Sequence, residues 1–466
     1  MRSWGLLGGC AWVLVAACSV GTPYRKPDIA LPSAWDANAA GAASLDSGQS
    51  VWPASDWWHR FGSPRLDELI DQAQRANDDL AAAMARIQEA DAQLRIAGAP
   101  LLPTADLGAT ATRERAGIAG GGLAVYDVFS PVLTASYELD FWGKNRAARD
   151  AARALAVASR YDRQTVALTV ISSVATTYLQ ALELRERIDV ARQNLENGRK
   201  ILRGLEFERQ VGTATGLDVA QQETAVALLD AALPPLEQQF RQTVYALAVL
   251  IGKTPESIDV ADGTLNDLKV PQVVAGLPSA LLTRRPDVAE AEQQLVSANA
   301  DITAARAALF PSITLTASGG YESDVLSSLV NPVNRIYAVS AGLTQPIFHG
   351  GALRGQLAYS KARYTELLSD YHKTVLTALD NVEGALVAAR QTADQQERQA
   401  GAVAKATRAY EFAQAEMSAG TVNVLTVLNT ENALFSARDT FVQVQYSHLQ
   451  ALVDLYTALG GGWHQG

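Results

Sequence analysis

The residue of this chain best placed by its neighbours for covalent chemistry is Cys18. It closes Val15-Ala16-Ala17-Cys18, the pattern of a bacterial lipobox, in which the cysteine becomes the lipid-bearing first residue of the mature protein. The alternative is an ordinary leader with an incidental cysteine. Residues 1–17 have one Arg near the start, an apolar stretch and small residues at the end, the layout of a secretory signal. They are too few to span a membrane. Ser19 stands where many bacteria place the Asp that retains lipoproteins at the inner membrane, so the outer membrane is the expected destination. Cys10 lies inside the leader, which leaves the mature chain one thiol and no internal disulfide.

Other chemistries find little support. His59, His349, His372, His448 and His464 show no pair at i and i+4 such as a metal site uses, and are expected in structural or solvent-facing roles. Met84 and Met417 are the only methionines after the leader, too few for a soft-metal relay. No nucleophile elbow, Walker loop or dinucleotide fingerprint occurs. The expectation is no catalytic residue, no metal and no cofactor beyond a covalent lipid on Cys18. A net charge of −10 and a pI near 5.1 argue against nucleic acid. No later stretch approaches 18 uninterrupted apolar residues, so any membrane crossing in the mature chain must be made of strands. Trp35, Trp52, Trp57 and Trp58 fall in an N-terminal extension and are read as packing it onto the helices.

The elements come in two copies, superposed by a shift of about 208 residues. Gly212-Thr213-Ala214-Thr215, followed by Glu223, lies over Gly420-Thr421-Val422-Asn423, followed by Glu431. Leu102-Pro103-Thr104 lies over Phe310-Pro311-Ser312, and Phe141-Trp142-Gly143 over Phe348-His349-Gly350. Each copy reads helix, strand, strand, long helix, tight turn, helix. First helices are expected over 65–99 and 278–308, each ending before a proline. Long helices are expected over 146–210 and 352–418, each reaching ~100 Å if unbroken. Val157, Tyr161, Gln164, Leu168, Ile171, Ala175, Tyr178 and Leu182 form a coiled-coil seam on the first. Gly212 and Gly420 suit left-handed C-caps, and Thr215 with Asp218, or Asn423 alone, caps the returning helix. Pro234-Pro235 should kink or break the first returning helix.

Between these helices lie stretches of period two. Ile313, Leu315 and Ala317 alternate with Thr314, Thr316 and Ser318, and Leu133, Ala135 and Tyr137 with Thr134 and Ser136. Tyr337, Val339 and Ala341 alternate in the same way, 104–112 less clearly, and 114–127 and 322–335 read as loops. A half-buried soluble hairpin alternates equally well as a membrane-barrel strand, and periodicity leaves both open. If the strands span a membrane, four per chain cannot close a barrel; two chains give eight strands and a filled interior, three give twelve and room for a channel.

Leu282-Thr283-Arg284-Arg285-Pro286-Asp287, Phe310-Pro311-Ser312, Gln345-Pro346-Ile347-Phe348, Leu459-Gly460-Gly461-Gly462-Trp463 and Cys18-Ser19-Val20-Gly21-Thr22-Pro23-Tyr24 together resemble the TolC/OprM outer-membrane factor family in its NodT-like lipoprotein branch. The resemblance covers nearly the whole mature chain. It implies a mainly α fold with a small β part: a trimeric channel-tunnel of four transmembrane β-strands per chain, pooled into a twelve-stranded barrel and continued by a long α-helical periplasmic barrel. It implies a homotrimer in the cell outer membrane, in contact with its lipid, working with a periplasmic adaptor and an inner-membrane pump, often of the resistance-nodulation-division type. The tips that meet the adaptor map to Val211, Gly212 and Thr213 and to Ala419, Gly420 and Thr421, and a narrowing leucine to Leu425. Relatives often carry an aspartate one turn on, where this chain has Asn429, and an aromatic or Arg before the second tip glycine, where it has Glu416-Met417-Ser418-Ala419.

The expected parts are therefore a leader over 1–17, a lipidated extension over 18–64, and two repeats over 65–265 and 266–466. The function so implied is a passive exit duct of a tripartite efflux pump, not an enzyme. An exit duct for type I protein secretion shares the architecture, and a lipid-anchored coiled-coil structural protein is the rival without a pore.

Overall fold

The computed structural model describes residues 20–36, 53–117, 122–258, 260, 263–271, 278–461 and 463. Cys18 and the leader lie outside them. The chain order is α1 (Pro64–Ala76), α2 (Asp78–Gly98), β1 (Thr104–Gly117), β2 (Leu123–Leu139), α3 (Lys144–Gln210), α4 (Gly216–Ala231), α5 (Leu233–Leu250), α6 (Pro286–Ala307), β3 (Ser312–Tyr321), β4 (Arg335–Thr344), α7 (Ala352–Ser418) and α8 (Val424–Ala458). The helix–strand–strand–helix–turn–helix order thus occurs twice, and the two 67-residue helices fall within two residues of their expected starts.

The first helices differ from expectation at definable residues. The span 65–99 is two helices, because Asn77 adopts extended backbone and its side chain serves both neighbours. Its Oδ1 accepts from the Leu80 amide at 3.1 Å, and its Nδ2 donates to the Leu250 carbonyl at 2.8 Å. A short polar side chain that can bond the backbone ends a helix in this way. The span 278–308 begins as a 3-10 turn, Pro278–Thr283, and α6 starts only at Pro286. Arg285, preceding proline, is disfavoured in the α region, whereas proline suits a first helical position. Pro234 and Pro235 leave the carbonyls of Asp230 and Ala231 without their helical donors, and the returning helix is interrupted at Ala232 while α8 runs unbroken.

The described chain gathers into two compact units. One holds residues 85–161 and 289–373 with the N-terminal segment up to Ile29. Its sheet has the order β1-β2-β3-β4, antiparallel throughout. The register sets Leu107, Leu133, Leu315 and Val339 on one face and Asp106, Thr134, Thr316 and Ser340 on the other. The first hairpin is longer than expected, since 114–117 and 123–127 form a paired ribbon and not a loop. Glu114 sits opposite Tyr126, whose hydroxyl donates to Glu114 Oε2 at 3.2 Å, and Arg113 lies 3.8 Å from Asp127. These pairings hold strands together whose glycines and charges imitate a loop. Gly320 admits no side chain, because a Cβ there would lie 2.2 Å from the Pro131 carbonyl oxygen across the β2–β3 pair.

Below the sheet, Trp142 stacks on Phe310 with centroids 4.8 Å apart and donates to the Pro311 carbonyl at 2.8 Å. Asp140 accepts the first amides of α3, from Asn145 at 2.9 Å and Arg146 at 2.8 Å. The N-terminal segment lies on α6: Arg306 donates to the Val20 carbonyl, Asn299 to that of Thr22, and Lys26 pairs with Glu292 at 2.6 Å.

The other unit holds residues 30–84, 162–288 and 374–466. Its core joins Leu66, Leu69 and Ile70 of α1 to Val174, Tyr178 and Leu182 of α3, Leu247 of α5, and Val453 and Tyr456 of α8. Trp57 stacks on Tyr456 at 4.9 Å, and Trp35, Trp57 and Trp58 are all buried, as their reading as packing residues expects; Trp52 lies outside the described residues. A stretch of α3 is apolar enough to pass for a membrane span, yet Val170, Ile171, Val174 and Leu179 are buried in this core.

Candidate functional site

The two tips are built alike. At the end of α3 the Thr213 amide reaches the Glu208 carbonyl at 2.9 Å and the Gly212 amide reaches Arg209 at 3.1 Å. At the end of α7 the Thr421 amide reaches Glu416 at 3.0 Å and the Gly420 amide reaches Met417 at 2.9 Å. This is the Schellman pair of bonds, which needs a left-handed residue at its centre. Gly212 and Gly420 supply it, with φ of 83° and 74°. Thr213 and Thr421 add a hydroxyl bond to the same carbonyls, at 3.0 and 2.9 Å.

The returning helices are capped differently. Thr215 and Asp218 form a reciprocal capping box, and the Thr215 hydroxyl, then its backbone amide, holds the Asp218 carboxyl below the usual carboxylate range. Asn423 caps α8 by itself, accepting from the Thr426 amide at 3.2 Å. Both caps are those the sequence indicates. Val211, Gly212, Thr213, Ala419, Gly420 and Thr421 are all solvent-exposed in the chain.

Just inside the turns the two hairpins share an apolar contact of Leu205, Val219, Val424 and Leu428, with Met417 packed against it. On α8 the residues at 424, 427, 428 and 431 are buried. Leu425 and Asn429, four residues apart, lie on a different face and are exposed, Leu425 by 47%. Both side chains are thus free of the contacts that hold the hairpin together.

Glu431 is the residue that sequence reasoning used only as a marker of the repeat. It continues the 424–428 seam one turn further, is 3% exposed, and its Oε1 has no hydrogen-bond partner. Burial pushes its carboxyl up to about 7. Tyr410 beside it is pushed up to about 12, by burial first and by the Glu431 charge second. Heptad spacing from Val424 was the signal that could have found it, because a carboxylate at a seam position is forced inward. Deeper in this unit Arg187 bridges Asp439 at 2.7 Å and Glu183 at 3.2 Å, which pairs the charges packed along the bundle. His448 is buried against the Thr392 hydroxyl at 3.1 Å, in a structural role. Among the described residues no group of His, Cys, Asp and Glu is placed to hold a metal.

The sequence pattern of the outer membrane efflux protein family matches residues 69–253 and again 277–461. The pyoverdine export outer membrane protein OpmQ of Pseudomonas aeruginosa is 41% identical, over 99% of this chain and 97% of its own length. The toluene efflux pump outer membrane protein TtgF of Pseudomonas putida is 32% identical, over 97% of this chain and 95% of its own. The open state of the Neisseria gonorrhoeae MtrE outer membrane channel superposes with a TM-score of 0.85 at 29% identity, covering 96% of this chain and 98% of that one.

Proposed function

The chain belongs to the outer membrane efflux protein family, whose members are outer-membrane channels and not enzymes, and from that premise we propose that it is the exit duct of a tripartite efflux pump. Three copies pool their strands into a twelve-stranded barrel and their helices into a periplasmic tube, and the chain itself is a tandem duplication. The single observation that carries this is the sheet: its apolar face is bare, with Leu107 76%, Leu133 53%, Val339 81% and Leu343 69% exposed. A soluble hairpin buries that face, whereas a barrel strand gives it to lipid and its hydroxyl-rich face to a wet lumen. The two family matches, starting about 208 residues apart at 69 and 277, support the duplication.

A periplasmic adaptor holds the tips at 211–213 and 419–421, and an inner-membrane pump of the resistance-nodulation-division type loads the duct. The named relatives export small molecules, which favours that cargo over a secreted polypeptide. Cys18 carries a lipid anchor, so labelled palmitate enters the wild type and not Cys18→Ser; equal labelling refutes it.

In the trimer Leu425 and Asn429 each form a ring of three about the axis. The leucine ring excludes water and ions by dewetting, and Asn429 leaves the next ring uncharged. Leu425→Ser is therefore expected to raise single-channel conductance and make cells leaky to large antibiotics. Unchanged conductance in a folded trimer places the constriction elsewhere. Asn429→Asp adds three like charges and is expected to increase cation selectivity, most strongly at low salt.

A further inference from the structure

The apolar face of the sheet is grooved. Tyr137 of β2 lies opposite Leu315 of β3, and Ala341 of β4 completes that rung. On the next rung away from the helices Ala135 lies opposite Ala317, with Val339 at the end. Tyr137 and Leu315 therefore stand up as a wall beside the two alanines, and the trough they border has a volume of about 530 Å³. Ser136, Thr316 and Ser340 also border it, but alternate residues of a strand point to opposite faces, so they lend it paired backbone and not their hydroxyls. No Lys, Arg, His, Asp or Glu lines the trough. Such a site takes hydrocarbon and not a headgroup.

The N-terminal segment ends at the foot of the same two strands. Arg306 donates to the Val20 carbonyl at 2.8 Å and Asn299 to that of Thr22 at 3.1 Å. Between them Gly21 lies so close to α6 that a Cβ there would be 2.5 Å from the Thr303 side chain. On its other side the segment faces the start of α3, where Gly21 and Thr22 share a hollow with Gly143 and Arg146. Because β2 runs into α3 and α6 runs into β3, the segment stops directly below the strands that carry the trough. Cys18 is two residues from Val20 in the sequence, a reach of at most about 7 Å. Ala135 and Ala317 lie four and five residues up from the strand feet at Leu139 and Ser312, about 13–17 Å along the strands. Barrel strands tilt by roughly 40°, which puts the alanines about 10–13 Å deep. Half the hydrocarbon core of a bilayer is about 15 Å, so the trough is at the depth of the acyl chains of the leaflet that Cys18 faces.

We propose that the trough seats an acyl chain of the lipid on this chain's own Cys18. The inference rests on the barrel and lipidation readings above. The lipid has to enter the bilayer, so the N-terminal segment runs along the outside of the tube, on the side to which the sheet turns its apolar face. A chain laid between Tyr137 and Leu315 and over the alanines replaces a gap in the lipid packing with close contacts, whose small attractions sum. Seated there, it ties the N-terminal segment to β2 and β3 and takes no part in transport.

The test uses the full chain in cells fed a palmitate analogue with a diazirine near its end. Outer membranes are irradiated, the protein is purified and digested, and mass spectrometry maps the peptides joined to the acylated Cys18 peptide. The adducts are expected to concentrate on peptides covering 133–139 and 312–319. In the double variant Ala135→Trp, Ala317→Trp, which fills the trough, they are expected to fall severalfold; the wild-type map decides alone if that variant does not assemble. Cys18 adducts scattered over the whole apolar face, or undiminished in the filled variant, overturn the trough and leave the lipid anchor standing. Phospholipids take up the analogue too, and their adducts differ in mass. Trough peptides carrying only those adducts make it a general lipid site and overturn the assignment to Cys18. No label on Cys18 at all overturns the lipidation reading, and the trough's occupant with it.

Discussion

Glu431 is a carboxyl on a seam otherwise made of apolar side chains, near the contact between the two hairpins. Its folded value, about 7, lies above the ordinary 4.5, so the folded chain binds the proton more tightly than the unfolded one. Stability from this group is then fully present below about pH 4.5, falls as the pH rises toward 7, and levels off above that. Over that window the loss is on the order of 3 kcal/mol. Hydrogen exchange of peptides covering 424–436, corrected for intrinsic rates, is expected to show weaker protection at pH 8 than at pH 5 in the wild type, and a flattened difference in Glu431→Gln. The same pH dependence in both proteins would assign it to another group.

The helical elements can be read from the sequence wherever one residue type decides the backbone, and the tips are the clearest case. Gly212, Gly420, Thr215, Asp218 and Asn423 all do in the structure what their types predict. A Cβ at Gly420 would meet nothing within 4 Å, so the strain of Gly420→Ala is purely that of the left-handed backbone, about 1–2 kcal/mol, and Gly420→Asn should lose less because Asn tolerates that conformation. Thermal melts of the two variants against wild type check the order; equal losses would show a clash instead. What the sequence hid was decided between elements. Asn77 reads as one more polar helix residue until Leu250 arrives to take its amide, and 114–127 reads as a loop until Glu114 and Tyr126 face each other across the ribbon. Glu431 was visible as a letter, but its burial beside Tyr410 of α7 was not.

At the scale of the whole molecule, the bare apolar sheet face requires company. Detergent-extracted protein is expected to be a trimer, near three times the mass of the mature chain, which is somewhat below the 49.6 kDa of the full 466 residues, once lipid and detergent are subtracted in light scattering. A stable monomer that still conducts ions would refute the pooling of strands. The interrupted helix bears on the assembled molecule as well. One hairpin returns through α4 and α5, interrupted at Ala232 because Pro234 and Pro235 offer no helical donors to the Asp230 and Ala231 carbonyls, while the other returns through 35 unbroken residues of α8. In mechanical language the first arm is compliant and the second stiff. A push on the two tips together is expected to bend the chain near Ala232 in one arm and to move the other as a rod, which would make α8, with its exposed Leu425, the lever and the proline-softened arm the spring.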